Sequence, residues 1–157
     1  MFNFKGDAVL FLSGSFLLGL GFSGFGLLFN LYLKEVGFSE SKIGFILALM
    51  SYVAVIMMFP AAFIVRKINV KPIIIVSVIF SCFGYLISAV TNIYFHIILG
   101  VVMTGIFSSF LPVLSGPLMM QMSTEPIRMH LFSTGFTISL ASGILGNILA
   151  GNLPLFF

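Results

Sequence analysis

The run AVLFLSGSFLLGLGFSGFGLLFNLYL, residues 8–33, carries no formal charge. A bilayer's hydrocarbon core is about 30 Å thick, and roughly 20 apolar helical residues cross it. This run crosses with residues to spare. It is too long for a cleaved leader and lacks the Ala-x-Ala ending of one. The rest of the chain reads the same way. Of 157 residues, 60% are hydrophobic and 7% are charged, where a soluble domain carries about 25% charged residues. So few charges cannot cover a water-facing surface on a chain of this size. Lipid is the solvent that makes the composition sensible. The net charge of +3 is too small to imply a nucleic-acid partner.

Charged residues divide the chain into spans. After the first run comes Lys34-Glu35-Val36-Gly37-Phe38-Ser39-Glu40-Ser41-Lys42, whose serines and glutamate are cap formers placed just before the next apolar run. The second span is 43–65. Arg66-Lys67-Ile68-Asn69-Val70-Lys71 ends it, and Pro72 suits the first turn of the helix that follows. Residues 72–124 hold no charge, too many for one crossing. Thr91-Asn92 is the best break, giving spans 72–90 and 93–122. Pro112 and Pro117 fall in the latter and are expected to bend it. Ser123 to Arg128 reads as a loop, and 129–152 as the fifth span. The expected fold is an all-α, multi-pass membrane protein forming one transmembrane domain over 1–157. With the N-terminus in the cytoplasm, the inner segments hold Lys5, Arg66, Lys67, Lys71 and Arg128, and the outer ones only Lys34 and Lys42. That bias favours this orientation.

Several chemistries are disfavoured. Cys82 is the single cysteine, so no internal disulfide can form, and within an apolar run it reads as a small hydrophobe. His96 and His130 lie far apart, and no CxxC, HxxxH or DxDxDG pattern is present, so no metal site and no cofactor are expected. Intramembrane catalysis needs paired acids, a serine with a base, or metal ligands. The spans offer serines without such partners, so an enzyme is not expected. No Asp, Glu, Lys or Arg lies clearly inside a span, which argues against a proton-coupling carboxylate here. His96 reads as an interfacial histidine rather than a proton carrier. Small residues are frequent, with Gly14, Gly19, Gly21, Gly24 and Gly26 in the first span and Gly143, Gly146 and Gly151 in the fifth. Such residues let helix backbones approach closely in lipid. Serine and threonine in membrane helices commonly bond their own backbone.

The stretch from Asn30-Leu31-Tyr32-Leu33 through Ser39-Glu40-Ser41-Lys42-Ile43-Gly44 resembles the first outer loop of the major facilitator superfamily: a tyrosine-leucine helix end, a short polar loop, and a serine-capped second helix with an early glycine. The turn between spans two and three is similar to the family's basic cytoplasmic signature. Lys67, Lys71 and Pro72 match in kind, and Asn69 takes a glycine's place, where a left-handed backbone is expected. Ala62 stands where the first glycine belongs, and Arg66 where an aspartate belongs, reversing the sign of its charge. Pro112, the Glu125 to Arg128 loop, and the glycine run of span five ending at Pro154 also sit where relatives have similar residues.

The resemblance covers roughly residues 8–154. It implies secondary transport of a small molecule by alternating access, around a site near the bilayer midplane and within a fold of inverted three-helix repeats. The chain would supply helices one to five of the first six-helix half, so it reads as an incomplete transporter. In the family, helices one, two, four and five face the cavity. The substrate-cavity candidates are therefore Asn30, Tyr52, Thr104, Ser108, Gln121, Thr137 and Asn147, with larger polar groups favoured because they cost more to leave facing lipid. The cytoplasmic loop motif is Arg66, Lys67, Asn69 and Lys71. Expected partners are the lipid bilayer, a small solute, apolar or neutral in preference to a polyanion, and either a second half-transporter chain or a C-terminal half. The expected location is a plasma membrane of bacterial type. The alternative is a short membrane protein without transport activity, as an assembly partner or the relic of a truncated gene.

Overall fold

The computed structural model describes residues 6–153. It contains α1 (Gly6–Glu35), α2 (Glu40–Val65), α3 (Val70–Val90), α4 (Tyr94–Ser108), α5 (Phe110–Met122) and α6 (Glu125–Asn152). There is no strand among the described residues. At 1.5 Å per residue the 30 residues of α1 extend about 45 Å, longer than the hydrocarbon core. The 15 residues of α4 and 13 of α5 are each too short to cross alone. Tyr94–Met122 serves as one crossing, so the described residues hold five helical spans long and apolar enough for a membrane.

The turns between helices follow from local chemistry. Gly37 has φ +89°, the left-handed conformation glycine adopts without a Cβ penalty. Its N–H donates to the Lys34 carbonyl at 3.0 Å, and the Phe38 N–H donates to the Leu33 carbonyl at 3.1 Å. This is the paired reverse-bond closure that satisfies the last carbonyls of α1. Leu33, three residues inside that cap, is fully buried. Ser39 then caps α2 with an extended backbone, its carbonyl accepting from the Ile43 N–H at 3.0 Å. Thr91 is extended and ends α3 where the break was expected.

Two local expectations are corrected. Asn69 has φ −56° and ψ 139°. It is the N-cap of α3, where an extended backbone is required, and so it does not replace a left-handed glycine. The stretch Glu125–Arg128 is not a loop but the first turn of α6. Thr124 caps it, accepting from the Ile127 and Arg128 N–H groups at 3.0 and 2.9 Å, and Pro126 sits where no intrahelical donor is needed. In the fourth crossing the hydrogen bonding is interrupted at Ser109, whose backbone stays right-handed helical at φ −63° and ψ −25°, so α4 leads directly into α5. Pro112 has no N–H to give the Ser108 carbonyl four residues back, which frees that carbonyl just before the interruption.

The chain forms two packed units. One joins α1 up to Leu31 with the last turns of α5 from Pro117 and with α6. Its small-residue contacts run along α1 and α6. A Cβ added at Gly146 would lie 2.6 Å from the Leu20 carbonyl oxygen, and one at Gly24 would lie 3.3 Å from the Gly146 carbonyl oxygen. Gly19 abuts Ser142. Ala8, Leu12 and Leu131 form a buried apolar cluster at one end, flanked by Phe11, Met119, Met122 and Ile138.

The other unit runs from Tyr32 to Gly116. There α3 and α4 meet along small residues. Ser77, Ser81, Gly84 and Ser88 of α3 are buried, as are Gly100 and Thr104 of α4. A Cβ at Gly84 would lie 2.7 Å from the Gly100 carbonyl oxygen and 2.9 Å from the Thr104 nitrogen. Gly105 does the same for α2, since a Cβ there would lie 2.8 Å from the Met50 carbonyl oxygen. With no water in the bilayer core, close van der Waals contact of this kind drives helix association.

Candidate functional site

Hydroxyls are the commonest polar groups in the spans. Ser13, Ser51, Ser88, Ser109, Ser115, Ser133 and Ser139 each donate to a carbonyl three or four residues earlier in their own helix. Two candidates behave likewise. Thr137 Oγ1 donates to the Ser133 carbonyl at 2.9 Å, and Ser108 Oγ to the Gly105 carbonyl at 3.4 Å. Local bonding meets their desolvation cost and leaves each oxygen able to accept from a solute.

The other candidates divide by unit. Asn30 on α1, Gln121 on α5 and Asn147 on α6 belong to the first unit, and all three are exposed. Thr137 shares that unit and is exposed too. An exposed amide at membrane depth is costly against hydrocarbon and is stable against water or another polar chain. In the second unit Tyr52 is 69% exposed on α2. Thr104 is 1% exposed and lies in the α3–α4 seam against Gly84. Its Oγ1 and the buried Ser81 Oγ have no hydrogen-bond partner among the described residues. Among the described residues, no hydrogen bond links one candidate to another within either unit.

Two polar groupings mark opposite ends of the second unit. At one end the Tyr32 hydroxyl lies 2.9 Å from the Thr91 carbonyl and 2.8 Å from Asn92 Oδ1, tying the end of α1 to the α3–α4 loop. Thr91 Oγ1 accepts from the Ile93 N–H at 3.3 Å and sits 3.4 Å from His96 Nδ1. The Tyr94 ring packs 5.9 Å from Phe38, with Lys42 Nζ 6.0 Å from its centroid, a distance at which ring and cation attract. His96 is thus part of a loop junction. At the other end lies the α2–α3 turn, with Arg66, Lys67, Asn69 and Lys71 all exposed.

Sequence reading named the glycines of the first and fifth spans but not Gly84, Gly100 and Gly105, which hold the tightest seams of the second unit. The signal was there: Ser77, Ser81, Gly84 and Ser88 recur at intervals of four, three and four, one face of a helix. Pro154 and Lys5 fall outside the described residues.

Among the described residues, five helical spans long and apolar enough to cross a bilayer, with close-packed small-residue seams, mark a polytopic membrane protein. The chain matches the family model of the Major Facilitator Superfamily over residues 11–156, and it belongs to that family. Members of the family are transporters. No curated protein and no solved structure matches the chain.

Proposed function

We propose that this chain takes part in secondary transport of a small, uncharged solute by alternating access. The family membership over nearly the whole chain carries the reading. The exposed polar residues of α1, α5 and α6 support it, because Asn30, Gln121, Thr137 and Asn147 offer amides and a hydroxyl without formal charge. Donors and acceptors of this kind suit a neutral solute, and nothing charged within the spans answers a polyanion. These residues are the proposed solute-facing set of the first unit, and Tyr52, Thr104 and Ser108 are the candidates of the second. Further helices, in the same polypeptide or a second one, cover the polar faces and complete the cavity.

Counterflow into proteoliposomes tests the reading. Vesicles preloaded with each member of a panel of neutral solutes are diluted into a trace of the labelled compound. For at least one member, transient accumulation above that in protein-free vesicles is expected, and Asn147→Leu should reduce it by roughly tenfold through loss of a hydrogen bond to the solute. Vesicles as tight as protein-free ones to the whole panel would contradict it.

A further inference from the structure

The chain's charges are unevenly placed. Lys34, Glu35, Glu40 and Lys42 cancel at one end of the second unit. Lys5, Asp7, Glu125 and Arg128 cancel among themselves. The three cations left over, Arg66, Lys67 and Lys71, are the entire net charge of +3. All three fall in one turn. Arg66 is the C-cap of α2, Lys67 follows it, and Lys71 lies in the first turn of α3, which begins at Val70. The connection is too short for the three to separate. Each is exposed, and none makes a side-chain hydrogen bond or ion pair among the described residues.

We infer that this turn holds the headgroup of an anionic phospholipid. Position selects a membrane lipid over a free anion in water. The turn joins two spans, which puts it at headgroup depth. Between the cations stands Ile68, 51% exposed, and one helical turn before Arg66 stands Phe63, 66% exposed. An apolar tip beside three cations fits the boundary between acyl chains and headgroups, where lysine and arginine side chains reach outward to phosphate. The arginine guanidinium can bond a phosphate through two parallel N–H groups, with lysines supplying further point charges. Each basic residue near an anionic surface strengthens association by about fivefold, the equivalent of about 1 kcal/mol. The inference rests on charge placement and does not depend on what is transported.

The chain has no tryptophan, which makes a clean test possible. Ile68→Trp introduces a single fluorophore at the turn. In symmetric bilayers of phosphatidylcholine doped with dibrominated lipid, quenching reports which lipid touches it. Dibrominated phosphatidylglycerol should associate at least about fivefold more strongly than dibrominated phosphatidylcholine. The preference should fall to parity when Arg66→Gln, Lys67→Gln and Lys71→Gln are combined, and partly with Lys67→Gln alone. A control fluorophore at Ile93→Trp, by the neutral end, should show none. Because both leaflets are alike, an inverted variant reports the same quantity, and far-ultraviolet circular dichroism verifies folding. Equal quenching by the two lipids, or a preference surviving the triple substitution, would overturn the inference. Inorganic phosphate should reduce quenching no more than chloride at matched ionic strength. Displacement beyond that would show a soluble-anion site instead of a lipid one.

Discussion

At Gly84 two helices come so close that the position tolerates no side chain. The Cβ of any other residue would meet the Gly100 carbonyl and the Thr104 main chain, both rigid. Gly84→Val is therefore expected to destabilise the protein by about 2–3 kcal/mol through overpacking. Gly26 has nothing within 4 Å of a built Cβ, and Gly26→Ala should be neutral or stabilise by about 0.5–1 kcal/mol through helix propensity. Unfolding of both variants by denaturing detergent, followed by circular dichroism, checks the contrast, and equal losses would refute it. The comparison also shows what residue type alone leaves undecided. Gly14, Gly21, Gly26 and Gly151 look like Gly19, Gly24 and Gly146 in the sequence, but only the latter three face a neighbouring helix. Which glycine meets a partner depends on helix rotation, a tertiary property. The cavity candidates share that limit: chemistry nominated Asn30 and Asn147, but the faces they occupy come from packing.

Helices were the legible scale. Five charge-free runs separated by short polar segments leave little freedom, because each backbone polar group in lipid must be bonded within its own helix. The cap at Ser39, the break at Thr91 and the proline early in α3 all follow from local chemistry visible in the residues. Where the reading slipped, short-range geometry decided the outcome. Asn69 serves as an N-cap rather than a left-handed corner, and Thr124 starts α6 earlier than the charges of Glu125 and Arg128 suggested. Pro112 accounts for the local interruption at Ser109, where the backbone stays right-handed helical. Pro112→Ala returns a donor to the Ser108 carbonyl. Amide exchange across residues 109–113 should then slow by about fivefold, matching one added hydrogen bond of about 1 kcal/mol. Unchanged exchange would mean the interruption is set by the packing of Phe110 and Leu114, both buried, and not by the proline.

For the whole molecule, composition established the solvent and the order of spans suggested the family, which the match over residues 11–156 then showed. The solute was not legible, because neutral polar groups specify a solute by geometry rather than by charge. The central claim is that the exposed polar residues face a water-accessible pathway instead of lipid. Cysteine accessibility tests it most directly. With Cys82→Ser as background, single cysteines replace Asn30, Gln121, Thr137 and Asn147, and Phe59 and Phe136 as lipid-facing references, which are 74% and 68% exposed. Maleimides react with the thiolate, which forms in water and not in hydrocarbon. In the protein as it stands in native membranes, the account predicts rapid labelling at the four polar positions, inert references, and protection when a transported solute is added. Polar positions as inert as the two phenylalanine positions would contradict it.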